Sequence, residues 1–515
     1  MNSFGIPLLS IATWLPAIGA LLMLFVRERS AQRLVALVAS LAALVAALVV
    51  AVLFFQFLYV SAAATGPQLT EQIGWVPTWG LTYTLTVDGI SLWFFVLTAF
   101  MMPFAIAATR AQQRPDANYA LLLLLETGIL GTFLARDLIL FYAFFEFTLI
   151  PTALLLGIWG GAERNRAATK FFLYTFAGSV FMLLSIIGLY LVHGQQTGTY
   201  TFDYAAIAAS LNGGAGAVLK LDPAAERLLF GGFFIAFAIK IALWPFHTWM
   251  PLLHSQTPAD GSVDISAVLL KVIGGYGLIR FTLGLFPQAA QWAAPAIGVL
   301  AVIGILYGAW VAYTQQDMKA LLAYSSVSHL SFVVLGIYAL NAQGISGAII
   351  QLVNYGITTS ALFLAVAVLE GRFGTRRPRD LGGLWLVMPA FGAVTLTLVL
   401  ASVGLPGLNG FIGEFTIIQG AWLSSALGWR FVGVAVIGVI LAAVYLLTMF
   451  KHVFMGSLRV EQSNSVDISR EQMLPLALLL IPIVVIGFYP NLIFDPIQPI
   501  VQQISQALSL AVASR

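Results

Sequence analysis

The chain has 515 residues, 60% of them hydrophobic and 9% charged, with a formal net charge of +3. Soluble proteins carry about a quarter charged residues, so a soluble fold is excluded and a polytopic, all-α membrane protein is expected. There is no cysteine, which removes iron–sulfur clusters, thiolate metal sites and disulfides, and no cofactor or metal is expected in this chain.

Apolar runs of about 20 residues read as membrane spans. Fourteen are predicted, at 4–26, 34–56, 88–108, 117–135, 138–160, 168–192, 229–251, 262–285, 295–314, 319–340, 343–371, 389–424, 432–456 and 473–494. No basic residue precedes the first, which is expected to be a retained span, not a secretory signal. The connections at 57–87 and 193–228 are the longest, and neither suffices for a soluble domain. One membrane domain over 1–515 is therefore expected.

The charges set the orientation. Arg27, Arg29, Arg33, Arg110, Arg114, Arg164, Arg166, Lys170, Lys319, Arg372, Arg376, Arg377, Arg379, Arg459 and Arg470 fall in connections on one side. Only Arg136, Lys220, Arg227, Arg280, Arg430 and Arg515 fall on the other. The richer side faces the cytoplasm, which puts both termini outside. The positive charge is thus a topology signal that anionic lipid could touch, and nucleic acid is not expected as a partner.

The seventh and twelfth spans are interrupted. One carries Pro245 after Lys240; the other carries Gly404, Pro406, Gly407 and Gly410 ahead of Glu414. Being five spans apart they cross in opposite directions, as expected of two inverted five-helix repeats with discontinuous helices 7 and 12. The repeats would be 117–285 and 295–456, with three helices before them (4–108) and a last helix at 473–494.

Charges inside the spans point to function. Glu146 in LILFYAFFEFTLIP, Lys240 in FFIAFAIKIALWPF, Lys271 in ISAVLLKVIGGYGLIRF and Glu414 in GLPGLNGFIGEF lie within apolar runs, where an ionised group costs at least ~2.5–3.5 kcal/mol. At about 1.5 Å per residue, Glu146, Lys240, Lys271 and His329 fall ~13–17 Å deep, near the midplane. Such a set reads as a lateral row of titratable groups. Pro151 and Pro245 free a backbone carbonyl beside Glu146 and Lys240, which calls for water or a protein donor there.

Burial disfavours the charged form of either group, and an opposite charge nearby favours it. A lysine alternating between a Glu partner and none can therefore take up and release a proton. Glu146 with Lys240 is the expected pair, and Lys271, with no carboxylate at its depth on its own helix, the expected unpaired carrier. Ser325, Ser328 and His329 share one helical face, and Gln351, Asn354, Tyr355, Thr358 and Thr359 another; His247 falls on the Lys240 stripe two turns on. The bland alternative is a scaffold whose ion pairs and polar faces only hold helices together.

The segments FYAFFEFTLIP, FAIKIALWPFHTWMPLLHSQTP, GSVDISAVLLKVIGGYGLIRF, QQDMKALLAYSSVSHL and GLPGLNGFIGEF resemble the antiporter-like membrane subunits of respiratory complex I, the bacterial NADH:quinone oxidoreductase. Glu414, where sibling subunits have Lys, and the short tail after the last span favour the M branch over the L and N branches. The resemblance implies Glu146 and Lys240 as coupling pair, Lys271 as central carrier, His329 as relay and Glu414 as terminal site. It also implies proton translocation in a bacterial plasma membrane, beside L- and N-like neighbours. NADH, flavin, iron–sulfur clusters and quinone would be bound by other subunits. Two positions depart from the family pattern: Leu252 stands where an Asp is usual before His254, and Tyr355 where a His often follows Asn354. A cation/proton antiporter or a membrane hydrogenase subunit shares these motifs.

Overall fold

The computed structural model describes residues 6–60, 68–110, 113–212, 219–458 and 466–513; Arg459 and Arg515 of the charge pattern lie outside the described residues. The chain is mostly helical: α1 (Leu8–Leu22), α2 (Arg29–Val60), α3 (Gly89–Ala108), α4 (Pro115–Leu134), α5 (Leu138–Phe147), α6 (Leu149–Trp159), α7 (Arg164–Thr197), α8 (Tyr204–Asn212), α9 (Pro223–Lys240) and α10 (Trp249–Gln256). There follow α11 (Ser262–Gly277), which runs into a π-helical turn (Leu278–Leu283), then α12 (Pro287–Thr314), α13 (Met318–Ile337), α14 (Ala342–Phe373), α15 (Pro389–Val403), α16 (Asn409–Leu423), α17 (Trp429–Phe454), α18 (Arg470–Phe488) and α19 (Asn491–Ala513). Among the described residues, eleven helical stretches are long and apolar enough to cross a membrane.

Local chemistry explains the helix ends. Asp88, Asp137 and Asp317 cap α3, α5 and α13, each accepting from two backbone amides of its first turn, as short acceptor side chains do at an N-cap. Pro115, Pro223 and Pro287 stand at helix starts, where a missing N–H costs nothing. The central helices α11 and α14 are buried almost throughout, whereas α2, α7, α17 and α18 turn large apolar side chains outward. Polar residues inside and apolar residues outside is the arrangement that lipid selects.

One connection and the tail hold structure that the sequence reading does not foresee, and the connection departs from an all-helical fold. Between α2 and α3, β1 (Gln68–Val76) and β2 (Leu81–Val87) pair antiparallel. Gly80 turns the hairpin at φ 66°, and a Cβ there would lie 2.2 Å from the Tyr200 carbonyl oxygen. The tail is not merely short: α19 is an amphipathic helix whose Ile493, Ile497, Ile500, Val501, Ile504 and Leu508 are buried. It lies against α3, α12 and α14. Gly89 permits that crossing, since a Cβ on it would stand 1.8 Å from the Pro496 carbonyl oxygen.

The breaks lie close to where the sequence places them. α5 gives way to α6 at Thr148, one turn before Pro151. α9 ends at Lys240, and the chain is unwound from Ile241 to Thr248 around Pro245. α15 and α16 are separated by Gly404–Leu408, with Gly404 at φ 83° and Gly407 at φ 91°.

Candidate functional site

Lys240 and Lys271 are wholly buried, and each depends on what the neighbouring helices offer. Lys240 Nζ donates to Thr148 Oγ1 at 3.1 Å and lies 4.4 Å from the centre of the Phe145 ring. The Thr148 hydroxyl in turn donates to the Phe145 carbonyl at 2.7 Å, and Thr152 donates to the Thr148 carbonyl at 2.8 Å. Threonine hydroxyls thus serve the Phe145 and Thr148 carbonyls on either side of the α5–α6 break, next to the Phe147 carbonyl that Pro151 leaves without its helical donor. Glu146 is half-buried beside Ser179, within electrostatic reach of Lys240. Their charges form no salt bridge within 4 Å; the break turns Thr148, not Glu146, toward the amine.

Lys271 is not the unpaired carrier expected. Its Nζ lies 2.7 Å from His254 Nε2, and His254 Nδ1 lies 2.7 Å from Asp264 Oδ1. Because a carboxylate only accepts, His254 donates through Nδ1 and accepts the ammonium proton through Nε2, as a neutral imidazole can. Asp264 Oδ2 faces Lys319 Nζ at 3.1 Å, and Lys319 also faces Glu370 Oε2 at 3.5 Å. Glu370 and Asp317 both meet Arg376, at 3.7 and 3.0 Å. A continuous line of charged and polar groups therefore runs from buried Lys271 to half-exposed Arg376. Lys319, counted in the sequence reading among the charges of the connections, is not a loop charge. It is fully buried, held additionally by the Pro258 carbonyl at 2.7 Å.

A second cluster surrounds Glu414. Its Oε1 lies 3.3 Å from His329 Nδ1 and 3.5 Å from Gln351 Nε2. His329 Nε2 lies 3.5 Å from the Tyr445 hydroxyl, which lies 2.7 Å from Ser325 Oγ. Asn354 donates to the Asn409 carbonyl at 2.7 Å, in the first turn of α16. Glycine shapes this corner: a Cβ on Gly404 would come within 2.8 Å of Glu414 Oε2, and one on Gly410 within 2.0 Å of the Ala401 carbonyl oxygen. A small cavity of ≈ 10 Å³, whose lining includes the polar groups of His329, Gln351, Asn354, Tyr355 and Thr358, adjoins Glu414's neighbours, about enough for one water. Tyr355 stands between the clusters, its ring centre 5.7 Å from Lys271 Nζ.

One residue is placed differently from expectation, and another makes a different bond. Ser328 lies on the α13 face with Ser325 and His329, but its hydroxyl donates to the Ile305 carbonyl of α12 at 2.9 Å, outside the His329–Tyr445–Ser325 chain. His247 does not continue the Lys240 stripe, because residues 241–248 are not helical. Its ring packs edge-on against Tyr307, and Nδ1 has no partner. Among the described residues no hydrogen bond joins Lys240 to Lys271.

His254, Asp264, Lys319, Glu370, Thr148 and Tyr445 are absent from the sequence-derived set. The seven-residue spacing of Asp264 and Lys271 is two helical turns, hence one face of α11, and was a usable signal. Glu126, in LLLLLETGIL, is a further fully buried carboxyl, bonded to Ser40 at 3.0 Å.

Interrupted helices that seat buried lysines, histidines and carboxylates in a helical membrane domain define an ion-translocating, antiporter-like subunit. The chain belongs to the NADH:quinone oxidoreductase/Mrp antiporter transmembrane family, whose model matches residues 135–442. It is 40% identical to NADH-quinone oxidoreductase subunit M of Rhodobacter capsulatus, over 97% of this chain and 96% of that one. It is similar to a chain of the respiratory complex I of Thermus thermophilus solved with bound NADH, at 31% identity and TM-score 0.86, over 97% and 99% of the two chains. A chain of the Mrp complex from Dietzia sp. DQ12-45-1b shares the fold at TM-score 0.79, with 20% identity over 98% of this chain and all of that one.

Proposed function

We propose that this chain is a proton-translocating membrane subunit of an NADH:quinone oxidoreductase, of the M type. The continuous line Arg376–Glu370–Lys319–Asp264–His254–Lys271 carries the reading, for it supplies a charged route from one end of the bundle to its centre. Protons enter along it from the cytoplasm. Lys271 holds them at the centre, and the cavity beside Tyr355 and His329 passes them toward Glu414 and the outside. Glu146 and Lys240, separated at rest, close on one another when a neighbouring subunit moves charge, and so bias Lys271. Transport against 100 mV requires ~2.3 kcal/mol per charge, which quinone reduction in other subunits provides.

The chain crosses the bacterial plasma membrane fourteen times, with both termini outside. Residues 117–285 and 295–456 form the inverted repeats. NADH, FMN, iron–sulfur clusters and quinone reside in partner subunits, and L- and N-like subunits flank this one. High identity to subunit M over nearly the whole chain favours this assembly over a cation/proton antiporter or a hydrogenase. The complex, reconstituted in vesicles, should acidify their interior when NADH reduces quinone at an outward-facing active site. Lys240→Ala and Lys271→Ala should each abolish most of that. Full pumping by both variants would leave only the scaffold reading.

A further inference from the structure

Beyond Lys271 the character of the bundle reverses. Toward Arg376 every step is polar; toward the opposite end, that of Asp88 and Arg280, a layer of aromatic rings closes the space between α4, α5, α9 and α11. Phe281, in the π-helical turn, is its hub, with ring centres 4.4 Å from Phe141, 5.7 Å from Phe237 and 6.4 Å from Tyr276. Tyr276 meets Phe133 edge-on at 5.3 Å, and Phe237 meets Phe145, the ring beneath Lys240, at 6.1 Å. None of the six is more than 2% exposed. Gly277 lets the layer close, since a Cβ there would stand 2.2 Å from the Phe237 ring. Above the rings sits Arg280, buried, paired with Asp88, its guanidinium carbon 5.5 Å from the Tyr276 ring centre. Asp88 is shared with Arg136 at 3.3 Å.

We infer that this layer and Arg280 form the proton seal of the first repeat, so that a proton on Lys271 has no outlet past α11 and must move sideways to the Glu414 cluster. Two physical features make the barrier. Packed rings leave no file of polar partners for water. A guanidinium repels hydronium and, unlike Lys, His or Glu, does not give up its proton, so it cannot relay one. The π-helical turn brings Phe281 and Arg280 to bear on successive layers of one barrier, a use consistent with π-turns at functional positions.

The inference rests on the proposed translocation, and one preparation tests both. The assembled complex is reconstituted in vesicles enclosing a pH-sensitive dye, a pH gradient is imposed without NADH, and its decay is followed. Phe281→Ala and Arg280→Gln should each speed the decay, Phe281→Ala by about ten-fold, equivalent to a barrier lower by ~1.4 kcal/mol, while NADH-driven electron transfer persists. Decay at the wild-type rate in both assembled variants overturns the seal. Should a variant fail to assemble, hydroxyl-radical footprinting of the wild-type complex decides. Tyr276 and Phe281 stay unmodified if the layer is dry, with Tyr355 and Tyr445 modified; oxidation of Tyr276 and Phe281 refutes it. Absence of NADH-driven pumping by the wild type would instead undo the proposed function itself.

Discussion

In an Asp264→Asn variant, the carboxylate 3.1 Å from Lys319 becomes a neutral amide of nearly the same size. Two charges ~3 Å apart attract by about 5 kcal/mol at an effective dielectric of about 20. Lys319 keeps Glu370 at 3.5 Å, so the net loss should fall at the low end of the ~3–5 kcal/mol typical of a broken buried pair. We expect destabilisation of about 3 kcal/mol, read as a lower unfolding temperature of the purified complex. The amide oxygen still accepts from His254, but the amide takes up no proton, so the route from Lys319 to Lys271 is cut. The initial rate of NADH-driven vesicle acidification should fall at least ~10-fold, which is ~1.4 kcal/mol in the barrier. Wild-type acidification together with wild-type stability would refute both the uptake route and the energetics of the Lys319 site.

Thr148→Val removes the acceptor of Lys240 at 3.1 Å and should cost ~1.5–3 kcal/mol, as for hydrogen bonds to charged groups; pumping should drop several-fold in Val but not in Thr148→Ser. Gly404→Ala puts a Cβ 2.8 Å from Glu414 Oε2 at φ 83°. Strain of ~1–2 kcal/mol and a displaced Glu414 should show as slower pumping in an assembled complex. Tyr445→Phe, which breaks the Ser325–Tyr445–His329 chain, should slow pumping, whereas Ser328→Ala should not, because Ser328 only holds the Ile305 carbonyl. Asp88, ahead of α3, is opposed in ionising by burial, but Arg280 and Arg136 outweigh that and hold its carboxyl below its ordinary 3.8. Its pairing is therefore fully present at neutral pH and is lost only as pH falls below 3.8 through the lowered value in the folded protein. Asp88→Asn should cost ~3–5 kcal/mol, measured as reduced thermal stability at pH 7.

Much of this protein follows from composition and order alone. Hydropathy sets the spans, because a backbone in lipid must satisfy its hydrogen bonds within helices. Proline and glycine mark the interruptions, because one lacks an amide donor and the other tolerates positive φ. Charges stranded in oil mark the site, because nothing but function or pairing offsets their desolvation. Leu252 stands where the family usually has an acid before His254; Asp264, from the next helix, stands against His254 instead.

Partnership was decided only in three dimensions. Glu146 and Lys240 look paired by charge, yet Thr148 sits at the break and takes the amine. Lys271 looks alone because His254 and Lys319 come from α10 and α13, and Lys319, at the first residue of a predicted span, is counted with the cytoplasmic charges. The aromatic layer is spread over four helices, and each of its rings by itself reads as ordinary core. A linear pattern reports which side chains share a face of one helix. Which faces meet depends on how whole helices cross, and the summed packing of many residues sets that geometry.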